Sequence, residues 1–351
     1  MRSIPVIGIL TLIKYDLLTR LINSIDHDVD NVVILFQGGH NNNFDFSKIK
    51  NKFIKNLIIV RSNFNIGVSR GWNYILQNYL KTYCIISGDD NYFNPGSLKK
   101  VSEYMTPDKL NEVMFAARGD QAFTTYIFTK KTIETIGYFD ENIYPAYYED
   151  NDYRYRMLLS GHDFISIPDI LSINTGDDNH RESCTLHSAD ENYRNKMSEC
   201  FSRNGQYFES KWGNSTYKFP FDRKDLTINS IINHENFIKN QKILLNHTKD
   251  QSFNITTVSM SNLLQFNWVY YKEKYEDMTL NNILSEKDLL NHYVDYGIKE
   301  NREIRDEFDY NFDWKRYISN YEDLRNAGID NKEKAWKHWV EFGKNEGRKF
   351  I

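Results

Sequence analysis

Short apolar runs alternate with amphipathic stretches along the first quarter of the chain. The predicted strands are the apolar runs Ile4–Leu12, Val32–Phe36, Leu57–Val60 and Tyr83–Ser87, and the predicted helices are Leu17–Ile25 and Val68–Leu80. An alternation of buried strands with helices is typical of an α/β fold with a mainly parallel central sheet. In such sheets ligands bind beyond the carboxyl ends of the strands, so candidate site residues are expected there.

The pattern changes after Phe221, and the chain divides into three predicted parts. Residues 1–221 carry the alternating pattern and form the predicted α/β domain. Residues 222–262 are polar, with many Asn and Lys and only weak helical periodicity, and they are interpreted as a helical connector. Residues 263–351 are predicted to form a small all-α domain.

The predicted C-terminal domain contains an internal repeat. Residues 266–302 and 312–348 align without gaps at an offset of 46 residues and share twelve identities, which indicates two copies of a unit of short helices. The repeated Trp and Tyr residues either pack these helices together or form a surface for a sugar or a partner. The equivalent residues His292 and His338 are expected to be structural, and the repeats are a candidate contact for an oligomer.

Composition and charge restrict the class of partner. The net charge is −4, which argues against a nucleic-acid partner held through its phosphates. Cys84, Cys184 and Cys200 have neither metal-binding spacing nor an even number for a disulfide framework, so a reducing, cytoplasmic compartment is expected. No run approaches the roughly 20 apolar residues of a membrane span, and the N-terminal run is too short and strand-like for a signal peptide.

An acidic pair follows the last predicted strand. Asp89 and Asp90 stand in the sequence Gly88-Asp89-Asp90-Asn91, at the carboxyl end of the apolar run. Carboxylate oxygens are preferred ligands of Mg²⁺ and Mn²⁺, which complete their coordination with phosphate. The same residue types also form ordinary polar turns. The pair therefore predicts either a metal site or a turn.

A second acidic cluster lies at a predicted helix N-terminus. It consists of Glu149, Asp150 and Asp152. The positive end of the helix dipole favours ionised carboxylates, while neighbouring acids raise one another's pKa, and a raised pKa suits a general base. Acids also occur at helix N-termini for capping alone. The cluster therefore indicates either a catalytic base or a capped helix.

The order of four segments resembles glycosyltransferase family 2, whose members have the GT-A fold. The matching segments are Asn65-Ile-Gly67-Val-Ser-Arg-Gly-Trp-Asn73, the strand that ends in Asp89-Asp90 with Pro95-Gly96 after it, Gly137–Glu141, and Tyr148–Gly161. The resemblance covers roughly residues 4–213, and the last segment is its most specific part. It implies inverting transfer of a sugar from a nucleotide-diphosphate donor to a hydroxyl of a glycan or another acceptor.

The resemblance also implies roles for individual residues. These are Asp90 as a metal ligand with Asp89 beside it near ribose or metal, Asp150 as the catalytic base with Glu149 as its acidic neighbour, and Asn65, Gly67 and Asn73 at the nucleotide pocket. The implied cofactor is Mn²⁺ or Mg²⁺. The implied donor is a UDP-sugar, the commonest donor in the family, in a hexosyl- or N-acetylhexosaminyl-transferase.

The chain departs from the family pattern at three places. Gly88 replaces the first acid, and Gln37-Gly38-Gly39-His40 stands where the family often has Asp or Asn near the nucleobase. The family's third metal ligand, a downstream His, should fall near Asn174, and the nearest candidates are His180 and His187. Two alternatives therefore stay open: a nucleotidyltransferase of similar fold, and a non-catalytic carbohydrate-binding or scaffold protein.

Overall fold

The structure is a computed structural model, and it describes most of the chain. The described residues are 2–38, 44–113, 115–117, 125–162, 165–166, 172–174, 191–212, 253–305 and 312–350. By contacts the chain divides into two compact units, one of residues 1–44 and 49–260 and one of residues 45–48 and 261–351. Within the described ranges, no helix is long and apolar enough to cross a membrane.

The described residues of the first unit form a mixed sheet of eight strands and a separate sheet of two strands. Their strands are β1 Ile4–Thr11, β2 Val29–Phe36, β3 Ile54–Arg61, β4 Tyr83–Gly88, β5 Asn91–Phe93, β6 Phe115–Ala117, β7 Thr125–Thr129, β8 Ile165–Ser166, β9 Ser172–Asn174 and β10 Asn254–Ser259. The larger sheet has the order β10-β3-β2-β1-β4-β7-β6-β8, and β5 pairs with β9. β3, β2, β1 and β4 are parallel, whereas β7 runs antiparallel to β4. The α/β class and the four predicted strands are confirmed.

Helices pack on this sheet through apolar faces. The helices of the first unit are α1 Tyr15–Asn23, α2 Val68–Tyr79, α3 Ser97–Tyr104, α4 Lys130–Ile136, α5 Glu149–Leu159 and α6 Glu191–Trp212. In α1 the buried residues Leu18, Leu21 and Ile22 recur at helical spacing, as the sequence predicts. α2 buries Trp72, Ile75 and Leu76 in a core that contains residues of β1, β2, β3, β4 and β7.

One part of the predicted helical connector is a strand. Asn254–Ser259 forms β10, which pairs antiparallel with β3 at the edge of the sheet. The prediction of a helix is wrong here because Ile255-Thr-Thr-Val258 is β-branched throughout, and such residues favour a strand. The pairing covers an edge of β3 that would otherwise expose backbone hydrogen-bonding groups. Residues 222–252 of the predicted connector lie outside the described residues.

Over its described residues, the second unit consists of short helices joined by turns and loops. Its described helices are α7 Met260–Leu264, which starts on the last residue of the first unit, α8 Trp268–Lys274, α9 Glu276–Leu280, α10 Glu286–His292, α11 Trp314–Asn320, α12 Glu322–Asn326 and α13 Lys332–His338, with π-helical turns Tyr293–Gly297 and Trp339–Gly343. Among the repeated aromatic residues, Tyr317 lies in its hydrophobic core, and Trp314 and Tyr321 pack against that core. Packing therefore accounts for these three residues.

The same hydrogen bond occurs in each half of this unit. The Tyr271 hydroxyl and His292 Nδ1 are 3.0 Å apart, and the Tyr317 hydroxyl and His338 Nδ1 are also 3.0 Å apart. Both tyrosine side chains are fully buried. The two histidines thus have structural contacts at equivalent positions, as expected from the sequence.

Candidate functional site

Two pairs of carboxylates lie toward one end of the sheet in the first unit. Asp89 follows the last residue of β4, whose Ile86 pairs with Tyr126 of β7. Burial raises the pKa of Tyr126 well above its ordinary value, and the charges of Asp150 and Glu149 raise it further. Both pairs therefore lie near the carboxyl end of β4, where sheets of this kind bind ligands.

The first pair lies in the turn between β4 and β5. Asp89 and Asp90 are half-buried. Burial and the adjacent charge of Asp90 raise the pKa of Asp89 to about 7. Arg20 of α1 donates from Nη2 to the Asp90 carbonyl oxygen at 3.4 Å, and its guanidinium lies 4.5 Å from the centre of the Tyr92 ring. Arg20 thus places its guanidinium against the backbone of the acidic turn, and it was not found from the sequence.

The second pair forms the first turn of α5. Glu149 and Asp150 are half-buried, and the Asp150 carboxylate accepts a hydrogen bond from the Asn151 N–H at 2.8 Å. Burial raises the pKa of both groups, and the charge of Asp150 raises that of Glu149 further. A carboxylate whose pKa is moved toward neutrality is suited to accept a proton near pH 7.

The backbone before this pair is in an unfavourable conformation. Tyr147 has φ 75° and Tyr148 has φ 73°, both in the left-handed region. Each such residue costs about 1–2 kcal/mol when it is not glycine. Conformations of this kind persist where surrounding contacts impose them, and they cluster at functional sites. They direct the chain into α5 with Glu149 and Asp150 at its start.

The first pair fits a hard divalent cation. Over the described part of the chain, no three His, Cys, Asp or Glu side chains come together to hold a metal ion. Two adjacent carboxylates can hold Mn²⁺ or Mg²⁺ when a diphosphate completes the coordination. His180 and His187 lie outside the described residues, so their predicted role as ligands stays a prediction. The backbone of Asn174, near the expected third ligand, pairs with Asn91 directly after the acidic turn.

Gly88 occupies the place of the family's first acid. Side-chain atoms of the next residues leave little room for a Cβ atom at this position. A Cβ atom at Gly88 would lie 3.0 Å from Asp90 Oδ1 and 3.4 Å from Asn91 Nδ2. The turn is therefore built around a glycine, and an acid at this position would push against Asp90.

Residues of the Asn65–Asn73 segment hold the chain that leads to α5. Gly67 adopts φ 83°, and a Cβ atom there would lie 2.8 Å from Tyr144 Cδ2. The Asn65 side chain accepts the Gly67 N–H at 2.9 Å, and its carbonyl accepts the Tyr144 hydroxyl at 3.0 Å. Asn73 is 1% exposed and bonds to Phe139. These contacts are positioning contacts, and the nucleotide-pocket role of the three residues stays a prediction.

Gln37, directly after β2, contacts the Asn65–Asn73 segment through its side chain. Its side chain is buried, and Oε1 accepts the Ile66 N–H at 3.0 Å. The amide that replaces the family's Asp or Asn thus has a structural partner. Gly39 and His40 lie outside the described residues.

A buried ionic cluster lies behind the second acidic pair. Asp152 accepts hydrogen bonds from Arg156 Nε at 2.9 Å, Lys211 Nζ at 2.6 Å and Trp212 Nε1 at 2.9 Å. Lys211 Nζ also donates to Asp140 Oδ2 at 2.7 Å. Burial alone would raise the pKa of Asp140, but Lys211 outweighs it, so the pKa is lowered. Asp152 is therefore structural, and the signal in the sequence was its Arg four residues later.

Comparison with known proteins gives limited sequence similarity. No family model matches the chain. A galactofuranosyl glycosyltransferase from Leishmania donovani is 50% identical over 38 residues, which are 11% of this chain and 9% of that protein. The chain thus matches less than a tenth of the length of this curated relative.

Similarity to solved structures extends over most of the chain. The mannosyltransferase PcManGT from Pyrobaculum calidifontis, in complex with GDP-Man and Mn²⁺, aligns with a TM-score of 0.41 and 11% identity over 70% of this chain and 86% of that chain. S. aureus TarS 1-349 in complex with UDP-GlcNAc aligns with a TM-score of 0.37 and 13% identity over 86% of this chain and 93% of that chain.

Proposed function

We propose that the chain is an inverting glycosyltransferase with a GT-A catalytic domain. The observation that carries the proposal is the presence of two half-buried carboxylate pairs, Asp89–Asp90 and Glu149–Asp150, at one end of the mainly parallel sheet. Transfer of a sugar from a nucleotide diphosphate needs a cation site for the leaving group and a base for the acceptor. The local similarity to a galactofuranosyl glycosyltransferase agrees with this proposal.

The first pair is proposed to bind the donor. Asp90, with Asp89 beside it, would hold Mn²⁺ or Mg²⁺, and that cation would neutralise the departing diphosphate. Asn65, Gly67 and Asn73 border the nucleotide pocket in this proposal, and the donor is a UDP-sugar. Arg20 is a further cation at this turn, close to the expected phosphates.

The second pair is proposed to bind the acceptor and take its proton. Asp150 removes the proton of the acceptor hydroxyl, whose oxygen attacks the anomeric carbon from the side opposite the diphosphate. The bond between that carbon and the diphosphate oxygen breaks, and its electron pair stays on the phosphate. Glu149 lies beside the acceptor. We also infer that residues 263–351, which contain the tandem repeats, form a separate helical domain that supplies no catalytic group.

The test is a donor screen with the full-length protein. UDP-, GDP- and dTDP-sugars are incubated with Mn²⁺, and release of nucleoside diphosphate is measured with and without EDTA. The proposal predicts release of nucleoside diphosphate from at least one donor and loss of release in EDTA. Release of pyrophosphate from a nucleoside triphosphate and sugar phosphate would instead indicate a nucleotidyltransferase. No release from any donor would contradict catalysis of sugar transfer.

A further inference from the structure

Helix α6 contacts the chain that leads to α5 at several points along its length. Arg203 donates from Nη2 to the Tyr144 carbonyl oxygen at 2.6 Å. The next residue, Asn204, donates from Nδ2 to the carbonyl oxygens of Ala146 at 2.8 Å and Tyr147 at 3.2 Å. These bonds hold the backbone from Tyr144 to Tyr147, the first of the two left-handed tyrosines.

The last turn of α6 places one lysine between two buried carboxylates. Lys211 Nζ lies 2.7 Å from Asp140 Oδ2 and 2.6 Å from Asp152 Oδ1, and the two aspartate side chains are 2% and 0% exposed. Asp152 lies two residues after Asp150 in the same helical turn of α5. Contacts that hold Asp152 in place therefore also hold the helical turn from which the Asp150 side chain projects.

We propose that Lys211 is a positioning residue for Asp150 and acts through Asp152. The proposal rests on the proposed function, in which Asp150 is the base. Consecutive left-handed residues such as Tyr147 and Tyr148 persist only where surrounding contacts impose them. Lys211 bonds to Asp152, whose N–H donates to the Tyr148 carbonyl oxygen at 2.9 Å.

The charges in the cluster explain why a neutral residue cannot replace the lysine. Lys211 and Arg156 together balance Asp140 and Asp152. Without Lys211, Asp140 loses the lysine that pairs with it and Asp152 keeps the pair with Arg156. Removing one partner of a buried ion pair is strongly unfavourable. Asp152 would then move toward water, and the first turn of α5 would move with it.

The test compares donor turnover by Lys211→Met, Lys211→Arg and the matched control Lys196→Met, an exposed lysine on the same helix. A misplacement of about 1 Å at a catalytic group can cost about 10²-fold in rate. We expect Lys211→Met to lower kcat by about 10- to 100-fold with KM for the donor nearly unchanged. Lys211→Arg should recover most of kcat, and Lys196→Met should match the wild type. Unchanged kcat in Lys211→Met would overturn the proposal.

A second variant separates positioning from loss of folding. The double variant Asp140→Asn with Lys211→Met restores the charge balance and should fold, yet its kcat should stay low because Asp152 still lacks the lysine. Recovery of wild-type kcat would show that Lys211 only balances charge, and would refute positioning. Hydrogen exchange of residues 146–152 gives a readout without turnover, and Lys211→Met should increase it. Increased exchange with an inactive wild type would support positioning but contradict the proposed function.

Discussion

The side chain of Asn73 and the backbone of Phe139 are bonded in both directions. Nδ2 donates to the Phe139 carbonyl oxygen at 2.9 Å, and Oδ1 accepts the Phe139 N–H at 2.8 Å. A further bond runs from Nδ2 to Glu141 Oε1 at 2.9 Å. The asparagine thus joins α2 to the chain that leads to the second acidic pair.

Asn73→Ala should therefore destabilise the protein. Each lost hydrogen bond costs about 1 kcal/mol, and a buried N–H left without an acceptor costs about 1–3 kcal/mol. We expect the free energy of unfolding in urea to fall by about 2–4 kcal/mol. The control is Asn78→Ala on the same helix, where one exposed Nδ2 bond to the Tyr74 carbonyl is lost. Equal losses in the two variants would contradict this reading of Asn73.

The strands β1 to β4 and the helices α1 and α2 could be predicted because their apolar patterns are local. The apolar run Tyr83–Ser87 is buried on both faces of the sheet, so its position follows from composition alone. β10 could not be found in the same way, because it is a half-exposed edge strand in a polar, Asn-rich region. Its identity depends on pairing with β3, almost 200 residues earlier in the chain.

The candidate site could be predicted only in part, for a related reason. Asp89 and Asp150 follow from local motifs, but the partner of Asp152 is Lys211, which is 59 residues away. The sequence Lys211-Trp212-Gly213 marked the end of a domain without indicating which carboxylate the lysine binds. Asn73 shows the same limit, since its bonds to the backbone of Phe139, 66 residues later, could not be predicted from its motif.

Metal-dependent donor binding should depend on Asp90. Asp90→Asn removes a charged ligand of the proposed cation, so calorimetric titration with UDP and Mn²⁺ should show a lower affinity. We expect a loss of at least about tenfold, because a contact with a charged group contributes about 1.5–3 kcal/mol and about 1.4 kcal/mol is tenfold in affinity. Addition of EDTA should then have little further effect. The control is Asp108→Asn, an exposed aspartate. Wild-type affinity in Asp90→Asn would exclude Asp90 as a metal ligand.

Stability without metal should depend on pH through Asp89. Its pKa is about 7 in the folded protein because of burial and the charge of Asp90, against about 4 in an unfolded chain. The folded state therefore binds more protons between these values, and the stability from this group is present below about pH 4 and lost as pH rises toward about 7. In EDTA, the free energy of unfolding of Asp89→Asn minus that of the wild type should increase as the pH is raised from 5 to 8. A difference that is the same at both pH values would contradict the shifted pKa.

The second unit should be sensitive to a methyl group at Gly343. A Cβ atom there would overlap the Tyr317 hydroxyl, which bonds to His338. Overpacking of this kind typically costs about 1–3 kcal/mol. Gly343→Ala should therefore lower the midpoint of the change in tryptophan fluorescence on unfolding, because most tryptophans lie in this unit. Asn345→Ala, an exposed position, serves as the control, and equal midpoints would show that the contact can relax.

The central claim is displacement at the anomeric carbon of a nucleotide sugar with Asp150 as the base. Its most direct test is ¹H NMR of an α-linked donor mixed with the protein and Mn²⁺, with water or a simple glycoside as acceptor. We predict that the donor anomeric signal decays and that the β-configured product appears first. Asp150→Asn should lower the rate by about 10²–10⁴-fold, and Glu149→Gln should lower it less. An unchanged donor signal, an α-configured first product, or normal turnover by Asp150→Asn would contradict the claim.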